Sequence, residues 1–309
     1  MEFLKDLFLY PGFLFGFVLG GLLEGFKRKL KARMQLRKGP PVTQPFYDLS
    51  KLLLKNITKP YTISSFTYLL IPFVPTVGLL VGLLIMPYPF YQEKSSFSFD
   101  LILIFYLTEL PLLSQIIFGY FSNSPYGMVG AARAGQMFFY YNGVFIMVIT
   151  TLCLLEGPPY SFCLKSIAEA WDPLDVLIKI LTIPFFVFSV LAKLKLNPFS
   201  IPDAEAEILE GPLTEASGVA LALFKLNYLL ELAIFGSLFA FFYLPVLKTS
   251  PPVGLILIFF GAFFLFFIFA LVENITARLR LSQFSSLYLK FFIPLATLIL
   301  VITWVFKNW

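Results

Sequence analysis

The sequence predicts an all-α integral membrane protein of about eight transmembrane helices, with a short amphipathic helix lying in the interface after the first. Three observations predict it. Of 309 residues, 59% are hydrophobic and only 13% charged, with a mean hydropathy of +0.85, a composition outside the soluble globular range. The apolar stretches are each long enough, at about 1.5 Å per residue, to cross a hydrocarbon core of about 30 Å. The charges fall into a few connecting segments, and no period-two alternation suggests a β-barrel. Lipid offers the backbone no hydrogen-bond partners, so the apolar runs must be helical. Residues 1–309 read as one membrane domain, with a basic segment at 27–59 and an acidic one at 195–218.

The first run, 7–26, ends in Lys27-Arg28-Lys29 rather than a small-residue cleavage site, so it reads as a span and not a signal peptide. Gly12, Gly16 and Gly20 recur every four residues along it, a spacing that lets another helix approach closely. The segment from Lys27 to Lys59 carries ten Lys/Arg. Arg33, Arg37 and Lys38 precede Gly39-Pro40-Pro41, a helix breaker. Beyond it, Phe46, Leu49, Leu52 and Leu53 make one apolar face, while Asp48, Lys51 and Lys55 fall elsewhere; this predicts the interfacial helix. Attraction to anionic lipid and docking of a soluble partner both fit such a segment.

Spans follow at 66–86 (with Pro72 and Pro75), 101–121 (with Pro111) and 137–155. The connection SNSPYGMVGAARAGQ between the last two carries one charge, Arg133. It either snorkels or pairs with an acid of another loop. The segment Glu156–Asp175 reads as a solvated loop. The fifth span, 174–194 (with Pro184), ends before Pro198 and Pro202. Asp203, Glu205, Glu207, Glu210 and Glu215 then put five carboxylates into thirteen residues. Such a group repels itself, which raises some pKa values and lets protons be shared; it suits a proton relay or a basic partner surface. Spans at 219–244, 253–272 and 289–306 complete the set.

With the first loop cytoplasmic, the inner side holds sixteen Lys/Arg, counting Lys193 and Lys195, against six outside, counting Lys179. The positive-inside rule then places both termini outside. Glu109, Lys225 and Glu231 are ionisable groups inside predicted spans. Burying one costs at least about 2.5 kcal/mol on insertion scales, so each is a candidate functional residue. Lys225 lies near the inner end and can snorkel; Glu24 and Glu273, at inner helix ends, read as solvated. The chain has no histidine and two cysteines, Cys153 and Cys163. That removes histidine-based haem, metal and acid–base chemistry. The cysteine spacing matches no cluster or zinc pattern and reads as two packing residues, with a disulfide as the alternative. Redox cofactors, if the system uses them, belong to other chains. There is no internal repeat, which disfavours a stand-alone transporter, and nothing suggests nucleic-acid binding.

Four segments carry a resemblance: ARMQLRKGPPVTQPFYDLSKLLLK (32–55), SNSPYGMVGAARAG (122–135), NPFSIPDAEAEILEGPLTEASG (197–218) and RLRLSQFSSLYLKFFIPL (278–295). In this order they resemble the membrane anchor subunit of group 4 membrane-bound [NiFe] hydrogenases and formate hydrogenlyases. That anchor is homologous to the H-type membrane subunit of NADH-quinone oxidoreductase (complex I). The resemblance implies a tilted bundle and a non-catalytic subunit in the cell membrane, without cofactors of its own. A [NiFe] or related centre and Fe–S clusters would sit on soluble hydrogenase-like large and small subunits, and antiporter-like membrane subunits would lie alongside. It implies docking of the soluble arm through Arg33, Gln35, Arg37, Gly39, Pro40, Gln44, Asp48, Arg278 and Arg280. It implies coupling to proton or sodium movement through the acidic loop, joined here by Arg133, Glu109, Glu231 and Lys225. The short stretch between Gly39-Pro40-Pro41 and Gln44 resembles the hydrogenase branch; the alternative is the quinone-site subunit of a complex I-like enzyme. Three positions depart from the pattern: Asn142 and the Lys193/Lys195 stretch stand where relatives often carry acids, and Ala216 replaces an aromatic. Glu109 or Glu231 could take the place of the missing acids.

Overall fold

The computed structural model describes residues 8, 11–60, 63–87, 89, 98–157, 160–209 and 211–308. Among these residues the chain is helical, with turns and loops and no strand. The long helices are α1 (Phe13–Met34), α3 (Ser65–Ile85), α4 (Asp100–Phe121), α5 (Pro125–Cys153), α7 (Pro173–Lys193), α9 (Gly218–Tyr243) and α10 (Pro251–Ile275). The last span is composite. It is α11 (Leu281–Leu287), one wider π turn over Tyr288–Phe292, and α12 (Ile293–Asn308). Three short helices lie between them: α2 (Gln44–Leu53), α6 (Leu164–Glu169) and α8 (Glu205–Ile208).

By length and composition, seven spans among the described residues can cross a membrane: α3, α4, α5, α7, α9, α10 and the composite Leu281–Lys307. The eighth expected span is α1, whose described part starts at Phe13 and carries Glu24, Lys27, Arg28 and Lys29 in its second half. The apolar half of its described part is therefore short.

Helix α9 is the axis of the bundle and packs against α1, α3 and α10. Every residue from Leu229 to Phe242 is buried, the pattern of a helix apolar on all sides. Gly20 makes the α1–α9 contact possible: a Cβ there would lie 1.9 Å from the Leu229 carbonyl oxygen. The spacing noted in α1 thus marks a close helix crossing.

Helix α5 begins at Pro125, with Ser124 before it, and not near 137 as the hydropathy suggests. Its first turns are rich in Gly and Ala, which lowers hydropathy, but those small residues form a packing face. A Cβ at Gly130 would meet the Gly211 Cα and Pro212 Cδ at 2.7 Å. The acidic loop is seated directly on this end of α5.

The segment after Glu156 is not simply a solvated loop. Leu164, Ile167 and Ala168 of α6 are fully buried, and the Leu164 N–H donates to the buried Asp100 carboxylate at 2.8 Å. Lys179, assigned to the outer surface by sequence, is buried. It donates to the Ile167 and Ala170 carbonyls at 2.9 and 2.7 Å and lies 4.2 Å from the Trp171 ring centre. The carbonyls that end α6 supply the acceptors. Cys153 and Cys163 are free thiols; burial, and then the nearby Asp100, push the Cys163 thiol above its ordinary pKa.

Candidate functional site

The polar groups of this chain collect at the end of the bundle formed by the 27–59 segment, and in one cluster inside the bundle. At that basic end, α1 closes with Leu36 in the left-handed region (φ 58°) and 97% exposed. The Arg37 N–H returns to the Ala32 carbonyl at 2.8 Å, a left-handed helix cap of the kind glycine usually provides. Arg33 and Arg37 project outward on either side, exposed. Gly39 folds back on Ala32, where a Cβ would have only 2.9 Å to the Ala32 Cβ. Pro40 is half-buried behind it. The Gln35 amide donates to Asn274 of α10 at 3.0 Å.

Helix α2 lies against α1 and α9 with Pro45, Leu49 and Leu52 buried. Leu53, expected on the apolar face, is 55% exposed. The Phe46 ring fills the space above Gly21 and meets Phe17 edge-on at 5.0 Å. Asp48 and Gln44 are half-buried and line an open surface cavity together with Tyr47 and Lys51. Asp48 accepts from Gln44 at 2.9 Å and from Arg28 at 3.1 Å. Burial raises the Asp48 carboxyl, but these two bonds and the Arg28 charge outweigh it and leave the pKa below its ordinary value.

Glu24 and Glu273 are not solvated. Glu24 is 5% exposed and pairs with Lys27 at 2.9 Å and Arg28 at 2.7 Å. The Tyr228 hydroxyl of α9 accepts from Lys27 at 2.8 Å and donates to Glu24 at 3.3 Å. Glu273 is 7% exposed and pairs with Lys31 at 3.1 Å. Sequence position at a helix end suggested full solvation; the crossing of α1, α9 and α10 instead leaves both carboxylates paired and mostly covered. Lys225, one turn before Leu229 on α9, is exposed and joins none of these pairs.

The described carboxylates of the acidic loop do not form one repelling group. Asp203 pairs with Lys195 at 3.2 Å, and Lys195 also donates to Gln115 of α4. Glu207 pairs with Arg133 of α5 at 2.9 Å. That hydrogen bond and the Arg133 charge, with smaller help from Arg278 and Arg280, hold the Glu207 carboxyl below its ordinary pKa. The Glu215 side chain is exposed. Glu210 lies outside the described residues, as do the side chain of Glu205 and the outer lysines Lys5 and Lys94.

The loop is tied down at both ends. The Leu279 N–H donates to the Pro198 carbonyl at 3.0 Å, and Arg278 donates to Ser200 at 3.1 Å. The Ser217 N–H donates to the Tyr68 hydroxyl at 2.8 Å, and the Ser217 hydroxyl accepts the Thr58 N–H at 2.9 Å. Two open cavities flank it. One of about 570 Å³ includes Arg133, Glu207, Arg278 and Arg280 in its lining. The other, of about 520 Å³, includes Lys31, Lys195, Asp203 and Glu273.

Deeper in the bundle, Glu109 of α4 pairs with Lys193, the last residue of α7. Sequence counted Lys193 among the inner-side charges, at the end of the fifth span. Its side chain instead points back along α7, as helical side chains do, and is 1% exposed. Lys193 also donates to Thr108 at 2.9 Å. The Phe105, Phe145 and Phe235 ring centres surround its ammonium at 5.7, 5.5 and 5.0 Å, close enough for cation–π attraction. Tyr141 of α5 donates to Glu109 at 3.4 Å. Glu231 of α9 is buried within electrostatic reach of Lys193, Glu109 and Lys195. Asn142 is buried with its amide oxygen unpartnered. Tyr141 is the member that the sequence did not name, and Lys193 was named only as standing where relatives often carry acids. The available signal was a lysine ending an unbroken apolar run while an acid stood inside another span.

The family model "NADH dehydrogenase" matches residues 8–304. The H-type subunit of NADH-quinone oxidoreductase from Pelagibacter ubique is 32% identical, over 90% of this chain and 86% of that one. Hydrogenase-4 component C of Escherichia coli K12 is 30% identical, over 85% of each chain. Among solved structures, a chain of the archaeal membrane-bound sulfane sulfur reductase superposes with a TM-score of 0.84. It is 21% identical and covers 97% of this chain and 99% of its own. That likeness shows the bundle is shared. Since the family match runs through the basic turn, the acidic loop and every span between them, the chain belongs to the NADH dehydrogenase family.

Proposed function

We propose that this chain is the non-catalytic membrane subunit of an energy-converting, [NiFe]-hydrogenase-like complex. It seats a soluble electron-transfer arm on its basic end and helps couple redox chemistry there to proton or sodium movement. One observation carries the reading. At that end an exposed turn (Arg33, Leu36, Arg37) stands on the same face as an acidic loop held by two single ion pairs, Glu207 to Arg133 of α5 and Asp203 to Lys195 in the turn after α7. A partner bearing charge would land on the turn. A change in its charge would compete with Arg133 for Glu207 and with Lys195 for Asp203, biasing proton occupancy and loop position.

In this reading Arg278 and Arg280 rim the docking face. The [NiFe] or related centre and the Fe–S clusters are carried by hydrogenase-like large and small subunits. Antiporter-like membrane subunits, packed against the bundle in the lipid bilayer, carry the ion. The basic end faces the cytoplasm of a cell-membrane complex, and both termini face outside, as the excess of Lys/Arg at that end supports.

The relatives also support a second reading, the quinone-site subunit of a complex I-like oxidoreductase, since one of them is itself a subunit of NADH-quinone oxidoreductase. Quinone bound in the purified complex would decide for it. The coupling claim is tested with the double variant Glu205→Gln, Glu207→Gln, comparing ion movement with substrate turnover in sealed vesicles. Loss of ion movement at retained turnover supports the proposal. An unchanged ratio refutes it.

A further inference from the structure

The buried cluster holds one cation and two carboxyls. Lys193 donates to Glu109 and to the Thr108 hydroxyl, inside a cage of three phenylalanine rings. Glu109 also accepts from Tyr141. Glu231 is 6% exposed and makes no hydrogen bond or ion pair among the described residues. The ionisable groups facing it are Lys193, Glu109, Lys195 and Tyr141, and the Tyr141 hydroxyl donates to Glu109. Lys195 is engaged by Gln115 and Asp203.

An unpaired carboxylate at this depth loses its hydration with nothing in return, a cost of several kcal/mol; such a group neutralises instead. The Lys193 ammonium already lies 5.0 Å from the Phe235 ring centre. Phe235 is one turn along α9 from Glu231, on the same face. Lys193 is the foremost charge acting on Glu231, and a lysine ammonium rides on a flexible four-carbon stem.

We propose that Glu231 is a proton-binding site of the buried cluster, and that Lys193 selects which of the two carboxyls holds the proton. In the arrangement described, Lys193 is paired with the Glu109 carboxylate and the proton sits on a Glu231 oxygen. In the alternative, Lys193 pairs with the Glu231 carboxylate and the proton sits on Glu109. Between the two states one O–H bond breaks on Glu231 and one forms on Glu109. Lys193 keeps its three protons, and the total charge of the cluster is unchanged. The site stands on this packing; its use in coupling rests on the reading given above.

The test is infrared difference spectroscopy of the assembled complex in its membrane, variant against parent, in the protonated-carboxyl C=O stretching region, in H₂O and D₂O. Glu231→Gln removes one deuterium-sensitive carboxyl band. Glu109→Gln removes the same band, because Lys193 then has only Glu231 to pair with. Lys193→Met adds a second band, as both carboxyls become neutral. A Glu231→Gln spectrum with no band lost overturns the proposal, as does a Glu109→Gln spectrum that retains the band. The two glutamine variants are nearly isosteric and decide the matter even where Lys193→Met does not assemble. Lost bands with intact ion coupling uphold the site and refute only its role in coupling. Unchanged bands in a variant that has lost coupling refute the site and leave the docking reading standing.

Discussion

Lys193 shows how far one residue's role depends on what the chain folds against. As the last residue of α7 it is a typical interfacial lysine; next to Glu109 it is half of a buried ion pair. Removing one partner of such a pair costs about 3–5 kcal/mol, while removing both is close to neutral. Lys193→Met should therefore lower the unfolding midpoint in detergent more than the double variant Lys193→Met, Glu109→Gln. A double variant no more stable than the single would show that the pair is not coupled. Glu207 behaves in the opposite way because it is exposed. Its carboxyl is held below the ordinary value by Arg133, so the pair contributes wherever Glu is ionised in the unfolded chain. That contribution is lost as pH falls through the lower folded value. Hydrogen-exchange protection of residues 203–209, each rate referred to its intrinsic value at the same pH, should hold at neutral pH and fall only below the usual glutamate range, with Glu207→Gln abolishing that fall. Sequence could name Glu109, Glu207 and Arg133 as unusual, because charge stands out in an apolar chain. It could not name partners 84 and 74 residues away, because nothing local encodes them.

At the scale of elements, the interfacial helix illustrates what periodicity captures and what it misses. The alternation in 44–53 placed Leu49 and Leu52 on the buried face, and both are buried. It placed Leu53 there too, yet Leu53 is exposed, and Pro45 takes the remaining contact. The apolar stripe is narrower than the pattern because Phe46, lodged over Gly21, fixes the rotation of the helix. Leu49→Ala should cost about 2–4 kcal/mol in the range of buried leucine truncations, and should expose 44–53 to protease. Leu53→Ala should leave both unchanged. Equal effects at the two positions would mean that the helix is not seated as described. The start of α5 was misread for a related reason. Hydropathy treats Gly and Ala as weak signals, whereas Gly130 is where the acidic loop touches the helix. Gly130→Leu should dislodge the loop, at about 1–3 kcal/mol for the overpacking, and should increase proteolysis between 198 and 216.

The whole molecule separates its chemistry by height. The basic turn, the acidic loop and two flanking cavities lie at one end, the Glu109–Lys193–Glu231 cluster inside, and α6 with Asp100 and Lys179 at the other end. An electron-transfer partner bound at the basic end therefore faces groups already tied by ion pairs to α1, α5 and α10 and by a hydrogen bond to α4. The orientation is checked with single cysteines on a background lacking Cys153 and Cys163. Ser250→Cys should react with an impermeant thiol reagent added outside intact cells, and Leu36→Cys only after the membrane is opened. The opposite pattern would invert the topology and remove the cytoplasmic docking surface.

The sequence by itself determined that the chain lives in a membrane as helices, how many spans it carries to within one, and which segments hold charge. Those properties follow from the absence of water in lipid, a constraint that acts on every residue independently. Tertiary structure alone decided which charges are solvated and which are paired. Glu24, Glu273, Lys179 and Lys193 look exposed from their positions in the sequence and are buried, because other segments of the chain pack over them and supply their partners. That outcome depends on contacts between residues far apart in the chain, and only the assembled bundle supplies them.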